Sequence, residues 1–120
     1  MGDYIVGPLE PTDFQVDTTS VITELRKRWP TARIQQTLGN DPVRFRCYLP
    51  HGMYVALDRS QQALLLEGGI DNIEDCVSLA LWFRLQVPAN YELYVYDPGL
   101  HGQLELTLKT TEYEAMHFMN

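Results

Sequence analysis

Histidine, cysteine, serine and paired carboxylates are the residues from which a catalytic or metal centre would be built. His51, His101 and His117 stand apart, and none has a Cys, His or acid at the short spacings that seed a zinc site. Two of the three neighbour glycine in turn sequences and read as solvated turn residues. Cys47 and Cys76 lie 29 positions apart at apolar slots of their elements, so both read as buried free thiols. Ser20, Ser60 and Ser78 sit in no nucleophile-elbow sequence, and Gly68-Gly69 lacks the further glycine and following lysine of a phosphate loop. Glu92 and Glu105 are expected to face each other across a hairpin, and opposed carboxylates can serve as acid and base. An exposed acidic sheet face accounts for the same pair without chemistry. The expectation is a protein that is not an enzyme and uses neither metal nor cofactor.

Charge is the stronger signal. Residues 1–60 balance seven acids with seven bases, whereas residues 61–120 hold nine acids against Arg84 and Lys109, so the net charge of -7 belongs to the second half. Such a field repels polyanions and attracts cationic surfaces, which favours a basic protein partner over nucleic acid or an anionic membrane. Arg33, Arg44 and Arg46 alternate near Tyr48 and Tyr54, a combination that can grip phosphate and stack bases. A sequence pI near 4.7 opposes that reading, and the arginines are expected instead to pair with acids of the second half across the sheet.

The elements that must position these residues follow from periodicity. Tyr4-Ile5-Val6 reads as a short strand, followed by a connector through Pro8 and Pro11. A helix opens at Asp17 or Thr18, carries Val21, Ile22, Leu25 and Trp29 at helical spacing, and ends on Arg26-Lys27-Arg28 before Pro30. The period then switches to two. Ala32, Ile34 and Leu38 point inward, and after the turn Gly39-Asn40-Asp41-Pro42 so do Val43, Phe45, Cys47 and Leu49. Met53, Val55 and Leu57 make a further strand with Tyr54 and Ala56 outward. The run Ala63 to Leu66 is apolar on both faces, as a central or doubly covered strand would be.

After Gly68-Gly69, Asp71 or Asn72 opens a second helix with Glu74 and Asp75 in its first turn. Its apolar surface is too wide for one face, so it is expected to be buried on more than one side. Past Pro88, Tyr91, Leu93 and Val95 alternate with Glu92, Tyr94 and Tyr96 as a strand, Asp97-Pro98-Gly99 turns the chain, and Gln103 to Thr107 return with Leu104 and Leu106 on one face. Thr111 with Glu114 forms a capping box that starts a short terminal helix. With 120 residues, 45% hydrophobic, the chain reads as one α+β domain over 1–120. The expected fold is an antiparallel sheet of about five to seven strands, two main helices on one face and a short C-terminal helix. Met1-Gly2-Asp3-Tyr4 has no signal-peptide character, no myristoylation pattern follows Gly2, and the longest apolar run is short of a membrane span, so a cytoplasmic location is expected.

Ala80-Leu81-Trp82-Phe83-Arg84, Val87-Pro88, Tyr96-Asp97, Leu106-Thr107 and Thr110-Thr111-Glu112, with Trp29-Pro30 after the first helix, resemble a pattern in uncharacterised small bacterial proteins. The group is similar to the immunity proteins of interbacterial toxin systems. The resemblance covers about the last 45 residues and implies a non-enzymatic inhibitor that binds a toxin domain; it assigns no functional residues. The residues themselves suggest an acidic-aromatic docking patch of Glu92, Tyr94, Tyr96, Asp97 and Glu105, since tyrosine gives rigid contact area with a polar tip. Two rival readings stand beside it. One is a homo-oligomer, a homodimer in its simplest form, with the tyrosine-bearing strand face buried between subunits. The other is a small-molecule enzyme or sensor with a pocket between sheet and helix.

Overall fold

The computed structural model describes residues 3–68, 72–99 and 101–120. In chain order the elements are β1 (Tyr4–Gly7), α1 (Thr18–Arg28), β2 (Arg33–Gln36), β3 (Val43–Tyr48), β4 (Tyr54–Asp58), β5 (Leu64–Glu67), α2 (Ile73–Gln86), β6 (Leu93–Tyr96), β7 (Gln103–Leu106) and α3 (Glu112–Met119). The seven strands form one open sheet in the order β2-β3-β4-β5-β1-β6-β7, and every neighbouring pair is antiparallel. The α+β class and the antiparallel sheet are therefore as expected. Strands β2 to β5 form a meander, and β1 enters the sheet between β5 and β6, joining the meander to the last hairpin.

Alternation decides which side chains are buried. Phe45 and Cys47 of β3, Val55 and Leu57 of β4, Leu64 and Leu66 of β5, Val6 of β1, Leu93 and Val95 of β6 and Leu106 of β7 all belong to one core cluster. The same cluster includes Val21, Ile22 and Leu25 of α1, Cys76, Val77, Leu79, Ala80 and Phe83 of α2, and Ala115 and Met119 of α3. Burial of this many large apolar side chains is the main source of stability, at about 1.5–3 kcal/mol for each fully buried one. Among the described residues, no helix is long and apolar enough to cross a membrane.

The helix ends follow local chemistry. Asp17 occupies the N-cap of α1, but its carboxylate accepts from the Ser20 hydroxyl at 2.8 Å and makes no hydrogen bond to a helix amide. At the other end Arg28 pairs with Glu24 at 2.7 Å and donates to Ser78 Oγ at 2.6 Å, tying α1 to α2. Asn72 caps α2 by position, and Asp71, the alternative, lies outside the described residues. The capping box of α3 is present in both directions: Thr111 Oγ1 accepts from the Glu114 amide at 3.1 Å, and Glu114 accepts from the Thr111 amide at 3.0 Å.

Two expected orientations and one expected set of charge partners differ. Alternation points Leu38 inward, but it is 91% exposed, because β2 ends at Gln36 and Leu38 lies in the irregular stretch before the turn. The hydroxyl of Thr37 donates to Val43 O and accepts from Arg59 Nη2, which draws the chain out of the ladder before Leu38. Alternation points Ala56 outward, yet it is fully buried. It stands in register between Arg46 and Leu65, and these larger neighbours shield its methyl group.

The third correction concerns the arginines. Arg46 pairs bidentately with Asp41 at 3.0 and 3.1 Å, Arg44 donates to Arg59 O at 3.0 Å, and the Arg33 guanidinium lies 4.9 Å from the Tyr48 ring centroid. None reaches a described acid of the second half. The turn after β2 supplies a carboxylate much nearer to Arg46 than any on the far strands.

Candidate functional site: an acidic aromatic groove beside strand β6

At the end of β1 the chain turns away through Pro8 and Pro11 and runs past β6. Gly7 allows this passage, since a Cβ there would lie 2.8 Å from the Ala63 Cβ. Opposite Gly7 in register stands Tyr94, so no side chain on β1 competes with its ring for space. Between the connector Pro8–Thr12 on one side and Tyr91, Glu92 and Tyr94 on the other lies a groove of about 270 Å³.

Both walls are fixed. Gln62 Nε2 donates to Thr12 O at 2.7 Å and to Phe14 O at 2.9 Å, while Gln61 Nε2 donates to Val16 O at 2.9 Å. Gln61 adopts a φ of 62°, an uncommon conformation for a non-glycine residue. Around it the Asp58 carboxylate gathers the amides of Gln62 and Ala63, both at 2.9 Å. On the opposite wall Tyr91 donates its hydroxyl to Asp13 at 2.5 Å, and its ring packs against Phe14 at 5.2 Å between centroids.

Beneath Tyr91 sits Arg84, only 3% exposed. Nη1 donates to Tyr91 O at 2.9 Å, and Nη2 donates to Val87 O at 2.9 Å and Pro88 O at 2.8 Å; Leu106 O lies 3.5 Å from Nη1. Among the described residues no carboxylate pairs with it, and Nε has no partner. Burial pushes its pKa down, with the charge of Glu105 acting in the opposite direction. One guanidinium thus holds the whole connection from α2 to β6. Its charge is sequestered, which leaves Lys109 as the exposed cation of the second half.

The proposed patch divides. Tyr94 donates to Glu92 at 3.3 Å and faces Glu105 in register. Its phenol is pushed above the usual range by burial first, then by Glu92, Glu105 and Glu10. Glu92 does not face Glu105 directly, as expected earlier, because β7 pairs Glu105 with Tyr94 and leaves Glu92 on the diagonal. Tyr96 belongs to the same face, opposite Ile5 on one side and Gln103 on the other, and its pKa is raised by burial and then by Asp58.

Asp97 is separate. It follows Leu93 and Val95 in alternation and lines a second cavity of about 640 Å³ with Asp3, Tyr4, His101 and Phe118, where its Oδ1 is 3.5 Å from His101 Nδ1. Glu10 joins the first group, and nothing in local periodicity marks it. Its signal is indirect: a proline-flanked acid between a strand and a helix that a later tyrosine can clamp.

Eight of the nine second-half acids are described, and none forms an ion pair with Lys or Arg; Asp75 and Asp97 each lie 3.5 Å from a histidine. Among the described residues no three His, Cys, Asp or Glu side chains converge as metal ligands. Burial pushes the thiol of Cys47 up to about 11 and that of Cys76 up to about 12, which keeps both protonated at neutral pH. The groove instead combines what a cation needs: carboxylates without counterions and aromatic rings at their side. No protein-family model, curated protein or solved structure matches this chain.

Proposed function

We propose that the chain is a non-enzymatic protein-binding module, bacterial and cytoplasmic, that neutralises a cationic toxin domain through the acidic surface of its second half. The observation that carries this reading is the imbalance around β6 and β7. Glu10, Glu92 and Glu105 surround one tyrosine, while Arg84, the arginine of that half, is buried among carbonyls. Unpaired carboxylates on a firm aromatic surface steer a basic partner and speed encounter. We further infer that α1 and α2 share one face of the sheet and leave the tyrosine-bearing face free. Their common core cluster with the inward strand residues and the Arg28–Ser78 hydrogen bond support this.

The test is co-expression with the C-terminal domain of a large secreted protein encoded beside the gene. Wild type is expected to restore growth, and Glu92→Lys with Glu105→Lys is expected to lose that protection while keeping its fold. Association measured by stopped flow should slow with added salt in the wild type and lose that dependence in the double variant. Asp97→Lys, away from the groove, should behave as wild type. Failure of the wild type to protect overturns the immunity reading, and full protection by the double variant removes this surface as the docking face.

A further inference from the structure

The groove between the connector and β6 is shaped more finely than a diffuse acidic field requires. Glu10 stands on one wall and Glu92 on the other, with Tyr91 and Tyr94 beside Glu92 and with Pro8 and Pro11 on the connector side. Its volume of about 270 Å³ falls just below the range of about 300–1,000 Å³ that whole small-molecule ligands occupy, so it has room for one long side chain. Pro8 and Pro11 carry no N–H, which thins the donors that an anion would need. Among the described residues, neither Glu10 nor Glu92 pairs with Lys or Arg.

We propose that this groove receives a single arginine side chain of the cationic partner, its guanidinium lodged between the carboxylates of Glu10 and Glu92 and against the tyrosine rings. The proposal rests on the reading of this acidic surface as the docking face, and it names what anchors there. Three properties select arginine over lysine. A guanidinium is planar and stacks on an aromatic ring; its five N–H donors can serve carboxylates on two walls at once; and it is more weakly hydrated than an ammonium, so it gives up less on entering a space walled by proline and tyrosine. The Tyr94 phenol reports the same convergence, since after burial the charges that push its pKa up include Glu92 from one wall and Glu10 from the other.

The walls are set before the ligand arrives. Gln62 holds the connector by donating to Thr12 O and Phe14 O, and the Tyr91 hydroxyl ties the strand side to the connector through Asp13. A preformed groove lowers the ordering cost of so small a contact. Steering and anchoring then separate: exposed charge such as Glu105 speeds encounter, whereas a cation lodged in the groove slows departure. In complex with the partner, Glu10→Gln should therefore speed dissociation more than it slows association.

Titration of the full chain with N-acetyl-arginine methylamide, followed by heteronuclear magnetic resonance, tests the groove without any partner. Saturable shifts are expected in the amides of Leu9, Glu10, Thr12 and Tyr91 to Tyr94, with a dissociation constant in the millimolar range. The lysine counterpart should bind at least about threefold more weakly, and the citrulline counterpart, of the same shape without the charge, should not saturate. Glu10→Gln, at an exposed position, should weaken arginine binding by about threefold or more, and Asp97→Asn, in the other cavity, should leave it unchanged. Absence of saturable shifts in the groove, an equal response to lysine, or unaltered affinity in the combined Glu10→Gln, Glu92→Gln variant overturns the proposal. The comparison of arginine, lysine and citrulline on the wild type decides the matter even where a variant fails to fold. Arginine bound by a chain that gives no growth protection leaves the arginine site standing and ends the toxin reading; protection without arginine binding does the reverse.

Discussion

Strands β2 and β3 flank the sheet on one side and β6 and β7 on the other, yet their charges are handled differently. Arg46 is clamped by Asp41, Arg44 and Arg59 are bonded into the turns, and Arg33 rests over Tyr48. Glu92 and Glu105 have a tyrosine between them and, among the described residues, no cation paired to either. The first flank uses charge to shape turns; the second leaves it available. Formal charge counted along a chain therefore differs from charge a partner can meet, and here the difference enlarges the asymmetry between the halves. Arg84 contributes most, since its burial removes one of two bases from the acidic side.

Removal of that buried cation is the severest way to break the comparison. Arg84→Met should lower stability by about 3 kcal/mol, read as a fall in the urea midpoint, because Tyr91, Val87 and Pro88 carbonyls lose their donor. Arg84→Lys should recover little, since one ammonium cannot span carbonyls that a planar guanidinium reaches from two nitrogens. A near-neutral Arg84→Met would mean that the β6 flank is held by its apolar contacts alone.

Acid should act selectively on the other flank. Hydrogen bonds from Arg46 and then from the Val43 amide hold the Asp41 carboxyl below its ordinary value of 3.8. A pKa lowered by folding adds stability above the unfolded value, and that stability is lost as pH falls through the folded one. Wild type should therefore melt above Asp41→Asn at neutral pH, with the two converging in acid below about pH 4. Parallel melting curves throughout that range would show that the Asp41–Arg46 pair contributes nothing to the turn.

Much of this was legible in the sequence, for local reasons. Alternation in Val43 to Leu49 and Met53 to Leu57 reported burial directly, and Thr111 with Glu114 announced its cap. Alternation also fails where a side chain redirects the chain, as at Leu38, or where neighbours shield a small residue, as at Ala56. The position of β1 could not be read, because pairing with Leu64 to Leu66 and with Tyr94 to Tyr96 is long range and leaves no trace in the period of residues 4–7. Asp97 shares parity with Leu93 and Val95, which sets it apart from Tyr94 and places it in the other cavity. Net charge compared between halves points the arginines to distant acids, whereas Asp41 stands five residues from Arg46 and takes it.

The gentlest test sharpens the acidic flank without disturbing its fold. Tyr94 titrates above its ordinary value of 10.0 through burial first and then through Glu92, Glu105 and Glu10, so its phenol reports local negative charge. Glu92→Gln removes a charge while keeping a hydrogen-bond acceptor, and Tyr94 should then ionise at lower pH. Glu105→Gln should act in the same direction and less. Asp97→Asn should leave Tyr94 unmoved, because Asp97 is not among the groups acting on it and lies with His101 in the other cavity. Labelled tyrosine followed by nuclear magnetic resonance into alkali resolves Tyr94 from Tyr96, whose pKa is raised by burial first and then by Asp58 in place of the glutamates. An unchanged Tyr94 in Glu92→Gln would mean that solvent and salt already screen the carboxylates from the ring, and a partner would feel as little of them as the phenol does.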